Sequence, residues 1–504
     1  MQRLILAGDH VVEDYSGRSR SNAAVVIENE RVADIIPIED ARRVFPGDEI
    51  VGGPGHIVIP GLIDAHQHGR GVSNIQRGVA DGPLEEWLVR LRGLWPMDTY
   101  LTTAVAALRL LRSGVTTAMH HFASTGVVPF EDELMASLQA YRDLGIRVTF
   151  TLDFRDRFSY VYADDDEFLA TLPLDLFARI REKLPPRTAS DPDRVMALLP
   201  VLERDWGGTR TKFALGPQGP EWSSDGALKQ ISEFAHSNNL PLHTHVLETR
   251  LQRESSIRHH GVSPITRLER LGLLGEQTSL AHMVWPSPDD LDRIRDSGTV
   301  IVHNPASNLR LKSGIAPVLE MLRRNIPVAV GMDGTSMSDQ ADFFQDLRLC
   351  EGLHFDRAGS IASDDIWHMV YRNGGKATFW GDAIGRLEKG SWGDAVVVKL
   401  SDDRLVEPIE QQTNILRRVL REGSPAMVHA VSVGGRIVMK DRRSTTIDDA
   451  DLLDRVDAYA RSADSADIKD RRKLVEQLEI AVRGFYSSWT TEAGPRAYNL
   501  ISIQ

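Results

Sequence analysis

Between residues 57 and 333, short runs rich in β-branched residues recur with longer stretches of helical periodicity between them, and no other feature restricts folding so tightly. Eight such runs can be counted, at 57–66, 115–121, 146–152, 212–216, 241–246, 278–282, 299–303 and 327–333. Strands that repeatedly give way to a helix before the next strand are the sequence form of a parallel sheet built from βα units. In the stretch 103–112, for example, apolar positions return at helical spacing, and the pattern stops at Gly114, a residue suited to the left-handed position beyond a helix end. Eight units predict an α/β fold of the (β/α)8 TIM-barrel type.

The flanks read differently. Residues 1–56 hold strand-like runs at 4–6, 24–27 and 32–36, and the same texture returns at 395–400, 428–433 and 436–439, the last two joined by Gly434-Gly435. The simplest arrangement is a small β-sandwich built from both termini, segments 1–56 and 386–445, around a barrel at 57–385. Residues 446–504 read as a helical extension in which Leu474, Leu478, Ala481 and Val482 form one apolar stripe, fit to pack on the barrel or on a partner subunit.

The 504 residues, 42% of them hydrophobic, suffice for one large core and a smaller companion. With 59 Lys and Arg against 71 Asp and Glu, a net charge of -12 gives no general attraction to nucleic acid or to an anionic membrane. No apolar run is long enough to span a bilayer. Met1-Gln2-Arg3 leads into strand-like Leu4-Ile5-Leu6 rather than a secretory core, and the single Cys350 excludes an intrachain disulfide, so a cytoplasmic protein is expected. There is no P-loop, and the Gly-rich pieces lack the strand and helix context of a dinucleotide site.

Chemistry concentrates at the expected strand ends. The first run closes on Ile63-Asp64-Ala65-His66-Gln67-His68, and because side chains two apart on a strand point the same way, His66 and His68 can offer two imidazoles to one metal ion. Alone, that pattern serves packing or hydrogen bonding as readily. Downstream, the fifth run closes on His243-Thr244-His245-Val246-Leu247-Glu248, the sixth on His282, the seventh on His303-Asn304 and the eighth on Val330-Gly331-Met332-Asp333-Gly334. The C-terminal strand ends of a barrel converge on one mouth, so these residues would share one pocket.

With these motifs the chain resembles the amidohydrolase superfamily, in its branch of aminohydrolases and chlorohydrolases that includes S-adenosylhomocysteine deaminase, guanine deaminase and the triazine-degrading enzymes. The resemblance runs from about residue 50 to about 440. It rests on Pro60-Gly61-Leu62-Ile63-Asp64-Ala65-His66-Gln67-His68, Gln76-Arg77-Gly78 with Leu84-Glu85-Glu86-Trp87-Leu88, His245 with Glu248, His303-Asn304-Pro305-Ala306-Ser307-Asn308 with Ser313-Gly314-Ile315-Ala316-Pro317, and Ile384-Gly385-Arg386-Leu387-Glu388-Lys389-Gly390. It implies one divalent ion per chain, zinc first and iron as the alternative, held by His66, His68, His245 and Asp333. Three imidazoles and a carboxylate leave an open position for water, the arrangement of a catalytic site, and such an ion lowers the pKa of water from about 15.7 to about 7. Glu248 matches the family's proton shuttle, although Glu in a first helical turn can also serve only the helix dipole. His282 would polarise the electrophile or steady the attacking water, and Asp333 would also accept a proton. The chemistry implied is displacement of ammonia, an amine or a similar leaving group from an electron-poor carbon of a small N-heterocycle. Cleavage of exocyclic amide, urea or carbamate C-N bonds is the alternative, and a non-catalytic scaffold is the third reading, which the complete ligand set disfavours.

Substrate contacts are expected from Gln218, His303, Asn304, Trp87, Trp285 and His121, with Trp222 and the stretch 154–162 as further wall or lid candidates for a planar heterocycle. Where nucleoside-type deaminases of the family carry a Gly-Pro-His turn, this chain has Gly216-Pro217-Gln218, and Gln218 offers an amide donor and acceptor but no cation. That departure favours pterins, triazines, guanine-like bases or ureides over adenosine-like substrates. His243 is expected behind the ligands, whereas His120-His121 could touch substrate or one of the two could be a satisfied barrel histidine, with neither reading favoured. Asp98 reads either as a sugar contact or as a helix-start carboxylate. Lys212, the residue that could be carbamylated to bridge two metals, precedes its strand end by several positions, which favours one ion. A homo-oligomer, dimer or higher, is expected.

Overall fold

The structure, a computed structural model, describes residues 3–126, 128–186, 191–334, 339–356, 359–399, 415–462 and 466–489. The remaining positions lie outside the described residues; they include 335–338 just after the eighth barrel strand, 400–414 in the expected second β segment and 490–504 in the expected extension.

Eight parallel strands follow one another in sequence order: Leu62–Gln67, Val115–His121, Arg147–Phe154, Thr211–Pro217, Leu242–Val246, Thr278–His282, Val300–His303 and Val328–Val330. All but the start of the fourth are buried throughout, as expected of strands with packed side chains inside the barrel and helices outside. The barrel closes where Gln67 bridges Asp333 and the Asp333 N–H donates to the His66 carbonyl at 2.8 Å. Closure therefore falls on two of the expected ligands.

The helices between the strands end where local chemistry stops them. Thr99–Arg112 is capped by Asp98, whose carboxylate accepts from the Leu101 N–H at 2.8 Å, and it stops before Gly114, which has a φ of 81°.

The second sheet takes strands from both ends of the chain, in the order Arg443–Ser444, Arg436–Lys440, Val428–Val433, Ala395–Lys399, Ile50–Pro60, Arg3–Val12, Ser19–Glu28 and Arg31–Pro37. Its two halves meet where Ala395–Lys399 runs antiparallel to Ile50–Pro60. The single strand expected over 57–66 is therefore two, one in each sheet, divided at Gly61. The Gly61 N–H donates to the Asp394 carbonyl at 2.9 Å, and a Cβ there would drive into the Thr116 side chain. A buried ion pair locks the sheets together: Arg147 on the third barrel strand reaches Asp394 through Nε at 2.7 Å and Nη2 at 2.9 Å. Removing one partner of such a pair costs about 3–5 kcal/mol.

The C-terminal helices are Asp449–Ser462 and Ala466–Ser487. The second buries Leu474, Val475, Leu478 and Val482 against Val89, Tyr160, Val161 and Phe168, so the apolar stripe covers the barrel's own loops. Arg90 grips Glu479 at 2.8 and 2.9 Å on the same seam. No helix among the described residues is long and apolar enough to cross a membrane.

Candidate active site

At the C-terminal mouth of the barrel, one ligand atom each from His66, His68, His245 and Asp333 lie within 4.8 Å of one another. A one-residue bulge aims the first of them: from Asp64 to Gln67 the first strand takes three steps while its neighbour takes two, from Ala118 to His120. On the far side, Asp333 has a φ of 61°, and Gly331 lets the eighth strand press against the first, since a Cβ there would lie 2.9 Å from the His66 nitrogen.

The hydrogen bonds fix which nitrogens face the centre. His68 Nδ1 donates to the His121 carbonyl at 2.9 Å and His245 Nδ1 to the Gln218 carbonyl at 2.6 Å. Ser279 Oγ donates to the Ala377 carbonyl at 3.2 Å and accepts from His243 Nδ1 at 2.6 Å, so His243 Nε2 must accept from His66 Nδ1 at 2.7 Å. Each ligand imidazole thus carries its proton on Nδ1 and turns an Nε2 lone pair inward. His66 Nε2 and His68 Nε2 each approach Asp333 Oδ1 at 3.2 Å, and His245 Nε2 lies 3.1 Å from His68 Nε2. Acceptors packed this closely without a donor between them fit a cation, and three neutral imidazoles with one carboxylate are the donor set for it. Burial holds His66 well below the usual imidazole range, against the pull of Asp333, and burial together with His68 does the same for His245. Ser307 Oγ donates to Asp333 Oδ2 and fixes the carboxylate plane.

Beside this cluster stand Glu248 and His282. Glu248 follows His245 by three residues across a turn in which Leu247 has a φ of 52°; its Oε2 lies 3.7 Å from His282 Nε2, and Ser313 Oγ donates to Oε1 at 3.4 Å. Burial, with Asp333 and Glu85 adding repulsion, pushes its carboxyl well above the usual range. The first turn of the next helix, Arg250–His260, is capped by Thr249 and Gln252 instead. The sixth strand ends in left-handed backbone at His282 and Met283, with φ of 79° and 46°. His282 Nδ1 donates to Asn308 Oδ1 at 2.9 Å, which leaves its Nε2 facing the cavity.

A cavity opens above these groups. Its walls come from the helix Leu84–Arg90, from 159–162, from Gln218 and Trp222, and from Tyr486 on the C-terminal helix. Of the expected substrate contacts, Gln218, Trp87 and His121 line it, as do Trp222, Tyr160 and Tyr162. The Gln218 amide is held between Asp153, to which it donates, and Arg155, whose Nη1 donates to Oε1 at 3.2 Å.

Three expected contacts lie elsewhere. His303 faces out of the barrel, 3.0 Å from His354. Trp285 donates its indole N–H to the Ser313 carbonyl at 2.7 Å and lines no part of the cavity. Asn304 lies behind His282, with Nδ2 3.4 Å from its Nδ1. His120 is the satisfied barrel histidine, paired with the Tyr141 hydroxyl at 2.7 Å, while its neighbour His121 turns inward. Asp98 acts as a helix cap. Lys212 points to the opposite end of the barrel, donating to the Phe379 carbonyl at 2.8 Å over the Trp380 ring, far from a position that could bridge two ions.

Sequence reasoning assigned no role to Arg70, Glu85, Glu221 or Tyr486. Arg70 continues the spacing of His66 and His68, which is a usable signal, and it lines the cavity. Glu85 accepts from Thr249 Oγ1, and from the Tyr162 hydroxyl at 3.2 Å. Glu221 is buried with neither carboxyl oxygen hydrogen-bonded, and burial, with Glu248 and Glu85 nearby, pushes its carboxyl up to about 8.

The family model for amidohydrolases matches residues 57–438, and the chain belongs to that family. It is a hydrolase. A 5-methylthioadenosine/S-adenosylhomocysteine deaminase of Syntrophobacter fumaroxidans is 29% identical over 91% of this chain and 98% of its own length. Among solved structures, an adenosine deaminase of Xanthomonas campestris with bound zinc superposes with a TM-score of 0.73 at 24% identity, covering 91% of this chain and 98% of that one. A mutant atrazine chlorohydrolase of Arthrobacter aurescens, complexed with zinc and atraton, gives 0.75 at 21% identity, over 90% and 99%.

Proposed function

We propose that this protein is a mononuclear metal-dependent aminohydrolase that removes an exocyclic amino group from a small planar N-heterocycle as ammonia. The observation that carries the reading is the placement of Glu248, His282 and Asp333, with one ligand atom each mutually within 4.8 Å, against the four-ligand cluster and at the floor of an aromatic-walled cavity. His66, His68, His245 and Asp333 would hold the ion. When bound, a divalent ion of the zinc type acts as a Lewis acid toward the water nucleophile. The names of the relatives above, two of which are deaminases, support the same chemistry.

The chain's own residues carry the proton traffic. In the net reaction, water oxygen adds to the carbon bearing the amino group, the C-N bond breaks, and one carbonyl group and one ammonia result. Glu248 takes a proton from the water and gives it to the adjacent ring nitrogen; burial, with Asp333 and Glu85 nearby, raises its proton affinity and so favours the uptake step. Asp333 and His282 steady the water and pass its second proton toward the leaving nitrogen. Trp87, Trp222 and Glu85 all line the cavity, so the two indoles would offer faces for stacking a planar ring and Glu85 would accept from its N–H edge.

Product-resolved assay of purines, pterins, triazines, pyrimidines and aryl amides, run beside metal analysis, tests this reading. Ammonia from a heterocycle, with about one ion at this site, is the expected result. Amine plus carboxylate from open-chain amides, with no ammonia from any heterocycle, would replace deamination by amide or urea cleavage, and full turnover after thorough chelation would overturn both.

A further inference from the structure

On the outer side of the barrel, a second group of metal-ligating side chains joins His303 to Cys350 and His354. Val300 and Val302 pack with Ala65, Ala329 and Ala377, so alternation turns His303 the other way, toward the helix Phe343–Leu353. Cys350 lies in the last turns of that helix and His354 is its C-cap, four residues apart and so on one face. One ligand atom from each of the three residues lies within 4.8 Å of the others, and all three are buried. The two imidazole Nε2 atoms are 3.0 Å apart, a hydrogen bond that an ion would replace, against 3.1 Å between His68 and His245. Both separations approach the roughly 3.3 Å that a tetrahedral ion with metal-nitrogen bonds of about 2.0–2.1 Å imposes on its ligands. Asp346 stands one turn before Cys350, near enough for its charge to act on the thiol, and its Oδ1 is buried without a hydrogen-bond partner.

We propose that His303, Cys350 and His354 form a second, structural metal site for a zinc-class divalent ion. Two imidazoles and a thiolate are the borderline-soft donors such an ion prefers. Burial holds the Asp346 carboxyl well above the usual carboxylate range, so it is neutral in the ion-free chain; losing its proton to solvent as the ion enters would supply the second negative charge that a buried divalent ion needs, and the carbonyl end of the helix adds to it at His354. Binding breaks the Cys350 S–H bond, sends the proton to solvent and gives the sulfur electron pair to the ion, so the step needs no oxidant or reductant. The site lines no part of the catalytic cavity, which suits a role in tying the seventh strand to its covering helix.

Cobalt(II) is the probe, because a thiolate-to-cobalt charge-transfer band reports sulfur ligation and the first cluster contains no sulfur. The full chain, stripped of metal and titrated with cobalt(II) alone, should take up two ions and develop that band. Cys350→Ser should take up one ion and show no band, whereas His245→Ala should keep the band. Uptake of a single ion without the band, or a band that survives Cys350→Ser, overturns the proposal. If Cys350→Ser fails to fold by circular dichroism, His354→Gln, which retains the thiol, is read instead. Its band should titrate about tenfold or more weakly, and an unchanged titration overturns the proposal equally.

Discussion

Two histidine-containing clusters draw on the C-terminal strand ends of this barrel, and they differ in the face of the sheet they occupy. His66, His68 and His245 point to the axis, under a cavity, with Asp333 closing the ring across the last strand junction. His303 ends a strand too, yet its side chain meets a helix, and its cluster has a cysteine where the other has a carboxylate. The first has Glu248 and His282 beside it at the catalytic cavity, whereas the second has the Asp346 carboxyl beside it and lies off that cavity. Ligand chemistry alone therefore does not make a reactive site; access to a cavity and a neighbouring proton carrier do.

The sharpest test of that difference is Glu248→Gln. The amide keeps the shape but cannot carry a proton, so kcat should fall by about 10²–10⁴ while both clusters keep their affinity for metal. Metal analysis beside steady-state kinetics separates the two effects, and unchanged turnover would remove Glu248 from the mechanism. A smaller effect is expected from His243→Ala. This change removes the acceptor that fixes the His66 tautomer, so affinity at the axial cluster should drop by about 10–100-fold with the cobalt-thiolate band untouched. Competition with a chelator reads the first quantity and the spectrum reads the second. Weakening of both sites together would mean that the clusters are coupled through the barrel wall.

The approach of His66, His68, His245 and Asp333 to one another is legible in the sequence because the strand-end rule needs only the positions where apolar runs stop. The face of a short strand is not. Val300–His303 has four residues, all apolar before the histidine, so nothing in its pattern says which side is the axis. The run 57–66 is interrupted by Pro60-Gly61, a turn signal at the handover between the two sheets, but that dipeptide does not say that the strands on either side join different sheets, which the backbone hydrogen bonds around Asp394 show. His282 needs a left-handed residue to reach the cavity, which no β-propensity anticipates. Tyr486 reaches the cavity from the far end of the chain through burial of its helix, and local periodicity can place that helix on a surface without saying which one.

A third test, read in stability rather than in turnover or metal affinity, concerns charge around the axial cluster, where Glu85, Glu221 and Glu248 are buried together. Burial, with Glu248 and Glu85 nearby, pushes the Glu221 carboxyl up to about 8 in the folded chain, against an ordinary value of 4.5. Below 4.5 the group is protonated in both states and its contribution to stability is complete. Between 4.5 and 8 the folded chain holds a proton that the unfolded chain releases, so stability falls as pH rises and the contribution is lost through the folded pKa. In Glu221→Gln this component of the slope, at most about 1.4 kcal/mol per pH unit, should vanish, leaving the variant the more stable of the two above pH 8. Denaturant midpoints measured from pH 5 to 9 read it directly. Parallel curves for wild type and variant would mean that the Glu221 carboxylate finds a compensating partner on ionising, and that the acid-rich setting does not distinguish the axial cluster from the outer one.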